Sequence, residues 1–239
     1  MGAEPLPKNQ GLRLVRYEYR LIFEKKGRAR YISHLDLMRA FQRVFKRAGI
    51  PLWYTQGFNP HAYLMFPLAL PLGTDSSVEV LDIALIEELE PEELCRRINE
   101  CMPEGLRIVY GRILSAQTPH MKHTEIASAE YSIRLVTDLT PEETAEAFRS
   151  FLSAEKIEVE KRTKKRGINL VDIKPHITLI SLDTDESGTN ISLRLPAGTE
   201  FNLNTGVVMD AFAERFEGKI DSVYTTRTKI LAKSGENFT

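Results

Sequence analysis

The sequence predicts an α+β protein made of two tandem ferredoxin-like units, each ordered βαββαβ, over residues 13–114 and 126–232. Three observations predict it. Apolar residues recur with period two and then with period 3.6 in the order strand, helix, strand, strand, helix, strand; after a polar connection, Ser115 to Glu125, the same order returns. Pro91 with Glu92 and Glu93, and Pro141 with Glu142 and Glu143, each set a proline and two carboxylates in the first turn of a helix, where the missing N–H costs nothing and the helix dipole favours negative charge. A chain of 239 residues is also long enough for two cores of about 100 residues each.

Tyr17 to Phe23 alternates as a half-buried strand does, and Leu35 to Ala48 follows as a helix. Ser33 is placed to cap that helix, Asp36 to reach back as in a capping box, and Ile32 with Leu37 has the spacing of a hydrophobic staple. Leu52 to Thr55 and Tyr63 to Phe66 read as short strands around a turn carrying Gln56-Gly57 and Asn59-Pro60. Gly73 to Ser77, GTDSS, is a polar turn whose amides could meet an anion, and strand Val78 to Leu85, helix Pro91 to Cys101 and strand Leu106 to Ile113 complete the unit. The second unit runs strand Tyr131 to Val136, helix Pro141 to Phe151, strand Ile157 to Lys161 continuing at Ile173 to Ile180, strand Ile191 to Leu195, helix Val207 to Phe216 and strand Ser222 to Leu231.

Charge excludes one class of mechanism. With 32 basic and 33 acidic residues and a pI near 6.6, the field of the whole molecule does not draw it onto nucleic acid, so any such binding must come from local patches. Cys95 and Cys101, six residues apart on one predicted helix, project from opposite faces and form no disulfide, the cysteine usage of a reducing compartment. MGAEPLPKNQ lacks a charged start followed by an apolar run, and the longest apolar run, Tyr63 to Leu72, is broken by Pro67 and Pro71 and too short for a bilayer. The expectation is a cytoplasmic protein without a membrane partner.

Common catalytic signatures are missing. The chain has no GxxxxGK, no GxGxxG opening a helix, no HExxH and no CxxC. His120 and His123 are three apart, but no Cys and no third His lies near, so neither metal nor cofactor is expected.

The candidate residues instead suit binding. A helical projection of Leu35 to Ala48 puts Leu37, Met38, Phe41, Val44, Phe45 and Ala48 on one face and Arg39, Arg43, Lys46 and Arg47 on the other. Such a basic stripe is either a solvated face, with Asp36 pairing part of its charge, or a set of phosphate contacts. In the following WYTQGFNPHAYLMF, Phe58 sits at a turn tip with Asn59 and His61 beside it; Trp53, Tyr54 and Tyr63 are stacking platforms or core, with burial favoured for Trp53. The densest positive charge is Lys161, Arg162, Lys164, Lys165 and Arg166, which is a solvated hairpin or, if all five meet a single strand, gives a salt slope of about −3.5. Lys174 follows on a predicted strand where Asp172, Lys174 and His176 share one face, unless Pro175 marks an ordinary edge strand.

ISHLDLMRAFQRVFKRAGIPLWYTQGFNPH followed by PLALPLGTDSSVEV resembles the bacterial radical SAM-linked protein family, whose defining domain has no assigned function. VDIKP and the basic segment of the second unit are similar to that family as well. The resemblance implies a relative of proteins that occur alone or fused behind a radical SAM enzyme with a cobalamin-binding type of domain. This chain has no CxxxCxxC cluster motif, so the implied radical SAM enzyme is a partner acting in trans.

Together these readings predict a non-catalytic accessory protein that binds RNA and presents it to that enzyme. The alternative is a metal-independent ribonuclease with His34 and His61 as acid and base and Arg39 or Arg43 stabilising the transition state. A third possibility is a protein-interaction module that docks on the radical SAM partner through Gln56 to His61. Duplicated ferredoxin-like units also occur in RNA-processing endonucleases, a likeness of plan alone.

Overall fold

The computed structural model describes residues 16–56, 58–115, 120–162, 168–199 and 201–239. Four helices pack on a mixed sheet of eight strands, with a separate two-stranded hairpin. The elements are β1 (Tyr17–Lys25), α1 (His34–Arg47), β2 (Leu64–Met65), β3 (Asp75–Leu85), α2 (Pro91–Asn99) and β4 (Leu106–Leu114). They continue as β5 (Ile126–Thr137), α3 (Pro141–Ser153), β6 (Glu158–Arg162), β7 (Ile168–Asp172), β8 (Thr178–Asp185), β9 (Gly188–Pro196), α4 (Thr205–Ala213) and β10 (Ile220–Ala232).

One sheet runs through both predicted units in the order β4-β1-β3-β10-β5-β9-β8, with β2 on β3. Two strands share the outer edge of β3. β2 pairs antiparallel with its C-terminal part, Leu64 opposite Ile83 and Met65 opposite Asp82, while β10 pairs parallel with its start, Thr226 opposite Asp75 and Arg227 opposite Ser76. Because the β10 pairing is so short, side chains must do much of the work of holding this seam. Arg227 provides it: its Nη1 donates to both Glu79 carboxylate oxygens at 3.0 and 3.2 Å and its Nη2 to the Ala69 carbonyl at 2.9 Å.

Two apolar cores follow from the pleat. Tyr19, Leu21 and Phe23 alternate to the face of β1 that meets α1 and α2, where Phe41, Phe45, Leu94 and Ile98 are buried. The opposite side chains, Ile22 and Val80, join the second core, which holds Phe148, Phe151 and Phe212 beneath α3 and α4. Arg20 also points to that side, where Asp82 accepts two hydrogen bonds from it at 2.8 and 2.9 Å and its guanidinium lies 4.3 Å from the Phe238 ring centroid.

Local chemistry sets the helix ends. Ser33 caps α1 as expected, accepting from the Asp36 N–H at 3.1 Å, but the Asp36 carboxylate accepts from the Ser33 hydroxyl instead of reaching the Ser33 N–H. The capping box closes fully on α3, between Thr140 and Glu143. At the other end of α1 the chain turns on Gly49 at φ +61°, with the Ile50 N–H returning to the Phe45 carbonyl.

Three expected strands are corrected. Leu52 to Thr55 and Tyr63 to Phe66 contract to β2 and to isolated bridges at Leu52 and Tyr54, because the hairpin divides its backbone bonds: Trp53 N–H bonds the Ala84 carbonyl of β3, whereas Thr55 N–H bonds the His61 carbonyl and Tyr63 N–H the Trp53 carbonyl. Ile157 to Lys161 does not continue at Ile173 to Ile180. It forms β6, which pairs with β7, and the sheet strand is β8. The break between them is a turn: Asp172 Oδ1 accepts from the N–H groups of Ile157 and Lys174, and Lys174–His176 is a 3-10 segment holding Pro175. Asp172, Lys174 and His176 therefore do not share a strand face.

Candidate functional site

The exposed face of α1 and the hairpin after it enclose a groove of about 810 Å³. Amphipathicity fixes the helix side, since burying Leu37, Phe41, Val44 and Phe45 turns Arg39, Gln42, Arg43 and Lys46 outward along one stripe. Aromatic contacts fix the hairpin side. Phe66, at its exit, packs edge-on to Phe41 at 5.7 Å and to Phe23 at 6.0 Å, clamping the returning strand against α1. Alternation then divides the rings: Trp53 and Tyr63 meet edge-on at 6.4 Å with Arg16 over both, whereas Tyr54 and Ala62 line the groove.

Pro60 and His61 close the groove. The His61 N–H donates to the Thr55 hydroxyl at 3.1 Å, and His61 Nδ1 lies 3.1 Å from that hydroxyl and 3.2 Å from the Asn59 carbonyl. His61 Nδ1 thus faces a hydroxyl that can donate or accept and a carbonyl that only accepts, and it bonds the carbonyl when the proton is on Nδ1. Phe58 and Asn59 stand exposed at the tip, Phe58 fully so at 108%. Gly57 lies outside the described residues.

The basic stripe is only partly neutralised. Arg39 Nη1 is 3.2 Å from Asp36 Oδ1, an exposed contact of small worth. The Ser33 hydroxyl, and after it the Arg39 guanidinium, hold the Asp36 carboxyl below its ordinary range, so it stays ionised as a partner. Arg43 and Lys46 have no ion pair among the described residues.

Of the other expected residues, Arg47 leaves the site. Its Nη2 donates to the Cys101 carbonyl at 2.6 Å, while Arg97 Nη2 donates back to the carbonyls of Ala48 and Gly49, so the two arginines lock the ends of α1 and α2 together. One residue past Lys46, Arg47 is turned about 100° toward α2. His34 is exposed and packs edge-on to Phe66 at 5.2 Å, and it is not among the residues lining the groove with His61. Lys161 and Arg162 fall in β6, opposite Asn169 and Ile168. Lys164, Lys165 and Arg166 lie outside the described residues. Lys174 starts the 3-10 turn, half-buried, and His176 stacks on Phe201 at 4.4 Å. Gln42 and Leu52 line the groove without having been singled out from the sequence, and the helical spacing of Gln42 from Arg39 and Lys46 was the available signal.

Among the described residues no group of three or more His, Cys, Asp or Glu could hold a metal ion, and no helix is long and apolar enough to cross a membrane.

A family model described as "Uncharacterized protein conserved in bacteria (DUF2344)" matches residues 18–205, which takes in the groove and the seam strand β3. The chain belongs to the DUF2344 family. DUF2344 is uncharacterized and brings no link to a radical SAM enzyme, so the sequence resemblance narrows here to this bacterial family. No curated protein matches. A crystal structure of an unknown protein from Galdieria sulphuraria is similar at 12% identity over 89% of this chain and 99% of that one, with a TM-score of 0.27 that says nothing of the site.

Proposed function

We propose that this DUF2344 protein binds single-stranded RNA in the groove between α1 and the Trp53 to Tyr63 hairpin and has no chemistry of its own there. The supporting observation is that Arg39, Arg43 and Lys46 line one open groove with the Tyr54 ring and His61. Cations along a groove hold a backbone, and rings beside them hold bases regardless of sequence. The nuclease alternative needs two imidazoles at one phosphate, and the groove contains one. Docking of a protein on the hairpin tip, where Phe58 is open, is the third reading, and charge reversal on α1 separates it from RNA binding because it leaves the tip intact.

Presentation of the RNA to a radical SAM enzyme acting in trans belongs to the same proposal and rests on the sequence resemblance. The reading of the sheet as two joined ferredoxin-like units is also part of the proposal and rests on the order of the elements. The orders β4-β1-β3-β2 and β10-β5-β9-β8 support it, since each places the fourth, first, third and second sheet strands of its half side by side.

Titration of a fluorescent single-stranded RNA with the protein across a salt series tests the binding. Three phosphates met by Arg39, Arg43 and Lys46 give an expected slope of log affinity against log salt of about −2. Absence of binding at low ionic strength, or a slope near zero, contradicts it.

A further inference from the structure

The stripe that forms one wall of the groove does not stop at Arg39. Leu35, Arg39, Gln42 and Lys46 fall within an arc of about 60° on α1, spread over about 16 Å of helix, and Leu35 is exposed although apolar. Four residues before Leu35, Tyr31 ends the 3-10 turn Gly27–Tyr31 and is 65% exposed. The Arg30 guanidinium lies 5.1 Å from the Tyr31 ring centroid and 5.7 Å from that of Tyr224 on β10, so one cation is stacked with rings from both sides of the seam. Tyr224 is itself 47% exposed, and both rings keep surface open to solvent.

This stack is built on fixed backbone. The buried Lys25 Nζ donates to the carbonyls of Arg30 and Ile32 at 3.3 and 3.0 Å, and the Gly73 N–H donates to the Arg30 carbonyl at 3.0 Å. The contact between Arg30 Nη1 and Asp75 Oδ2 is long, 3.5 Å, and leaves Arg30 Nε and Asp75 Oδ1 without hydrogen-bond partners. Both atoms are buried, so what this place offers a planar group is the open surface of the Tyr31 and Tyr224 rings beside the Arg30 cation.

We propose that the RNA surface continues from the groove along the exposed stripe of α1 to Tyr31, Arg30 and Tyr224, where a base stacks on the tyrosine rings, so that the ligand is a single strand long enough to occupy both places. The inference rests on the reading of the groove as an RNA site and extends it to the seam. Aromatic rings then bracket the track, Tyr54 and Phe58 at one end and Tyr31 and Tyr224 at the other, with the cations between them.

The test is fluorescence anisotropy with two single-stranded RNAs, of roughly four and roughly twelve nucleotides, both within the roughly 4 to 16 nucleotides that single-strand binding folds cover. Tyr31→Ala/Tyr224→Ala is expected to weaken the longer RNA on the order of tenfold and to leave the shorter one, held by the α1 cations, unchanged. Tyr31→Phe/Tyr224→Phe keeps the rings and is expected to bind both as the native protein does. Undiminished binding of the longer RNA by the alanine variant overturns the inference, and so does an equal loss for both lengths, while the groove reading survives. Failure of the native protein to bind either RNA removes the groove reading, and this extension with it.

Discussion

Replacing Arg43 and Lys46 together with glutamate is expected to weaken single-stranded RNA on the order of 100-fold at low salt and to bring the salt slope from about −2 to near zero. Neither side chain has an ion pair among the described residues, so the native fold loses no salt bridge of theirs, and both are exposed, so their replacement disturbs no packing. The groove changes sign, because Asp36 and two new carboxylates then face the single remaining Arg39. Circular dichroism and a native unfolding midpoint establish that the fold is retained. An RNA affinity unchanged by the double reversal means that the α1 stripe is only a solvated face.

The second large effect is on stability. Arg227→Met is expected to cost about 3–5 kcal/mol, a large share of the roughly 5–15 kcal/mol of an ordinary domain. Its guanidinium and the Glu79 carboxylate are 1% and 4% exposed, and removing the cation strands a carboxylate in the interior of the seam. Burial works against the Arg227 charge, yet Glu79 and Tyr131 together outweigh it and hold the guanidinium's proton more firmly than usual. Lys25 is no substitute, because its ammonium is already committed to the Arg30 and Ile32 carbonyls, and burial pushes its pKa below the ordinary value. Arg227→Met/Glu79→Leu, which removes both charges, is expected to recover most of the loss. Urea unfolding reads both variants. A loss below about 1 kcal/mol for the single change, the worth of a surface pair, contradicts this account of the seam.

What the sequence made legible was local. The α1 boundaries were expected at Leu35 and Ala48 and lie at His34 and Arg47, because burial of Leu37, Phe41, Val44 and Phe45 is a periodic signal that needs no knowledge of the partner surface. Arg39, Arg43, Lys46 and His61 meet in one groove for a related reason, since the hairpin follows α1 directly and Phe66 returns it to the same helix. Arg47 stands apart from the groove lining, and its partner, the Cys101 carbonyl, lies 54 residues away with no pattern near Arg47 to announce it. Lys174 was placed on a strand by its alternation with Asp172 and His176, and the Asp172 side chain, taking two backbone N–H groups, made a turn instead. The seam was not legible at all. Arg227 and Glu79, or Tyr31 and Tyr224 around Arg30, come together only because β10 pairs for two residues with β3, a long-range register that no local rule encodes.

The proposal that the groove binds RNA is tested most directly by ultraviolet crosslinking of the protein mixed with a single-stranded RNA, followed by mass spectrometry of the modified peptides. The account predicts crosslinks on the hairpin segment containing Tyr54, Phe58 and His61, lost when Arg43 and Lys46 are reversed. Crosslinks confined to the β6–β7 hairpin or to the helices α3 and α4, with the Trp53 to Tyr63 segment unmodified, would contradict it.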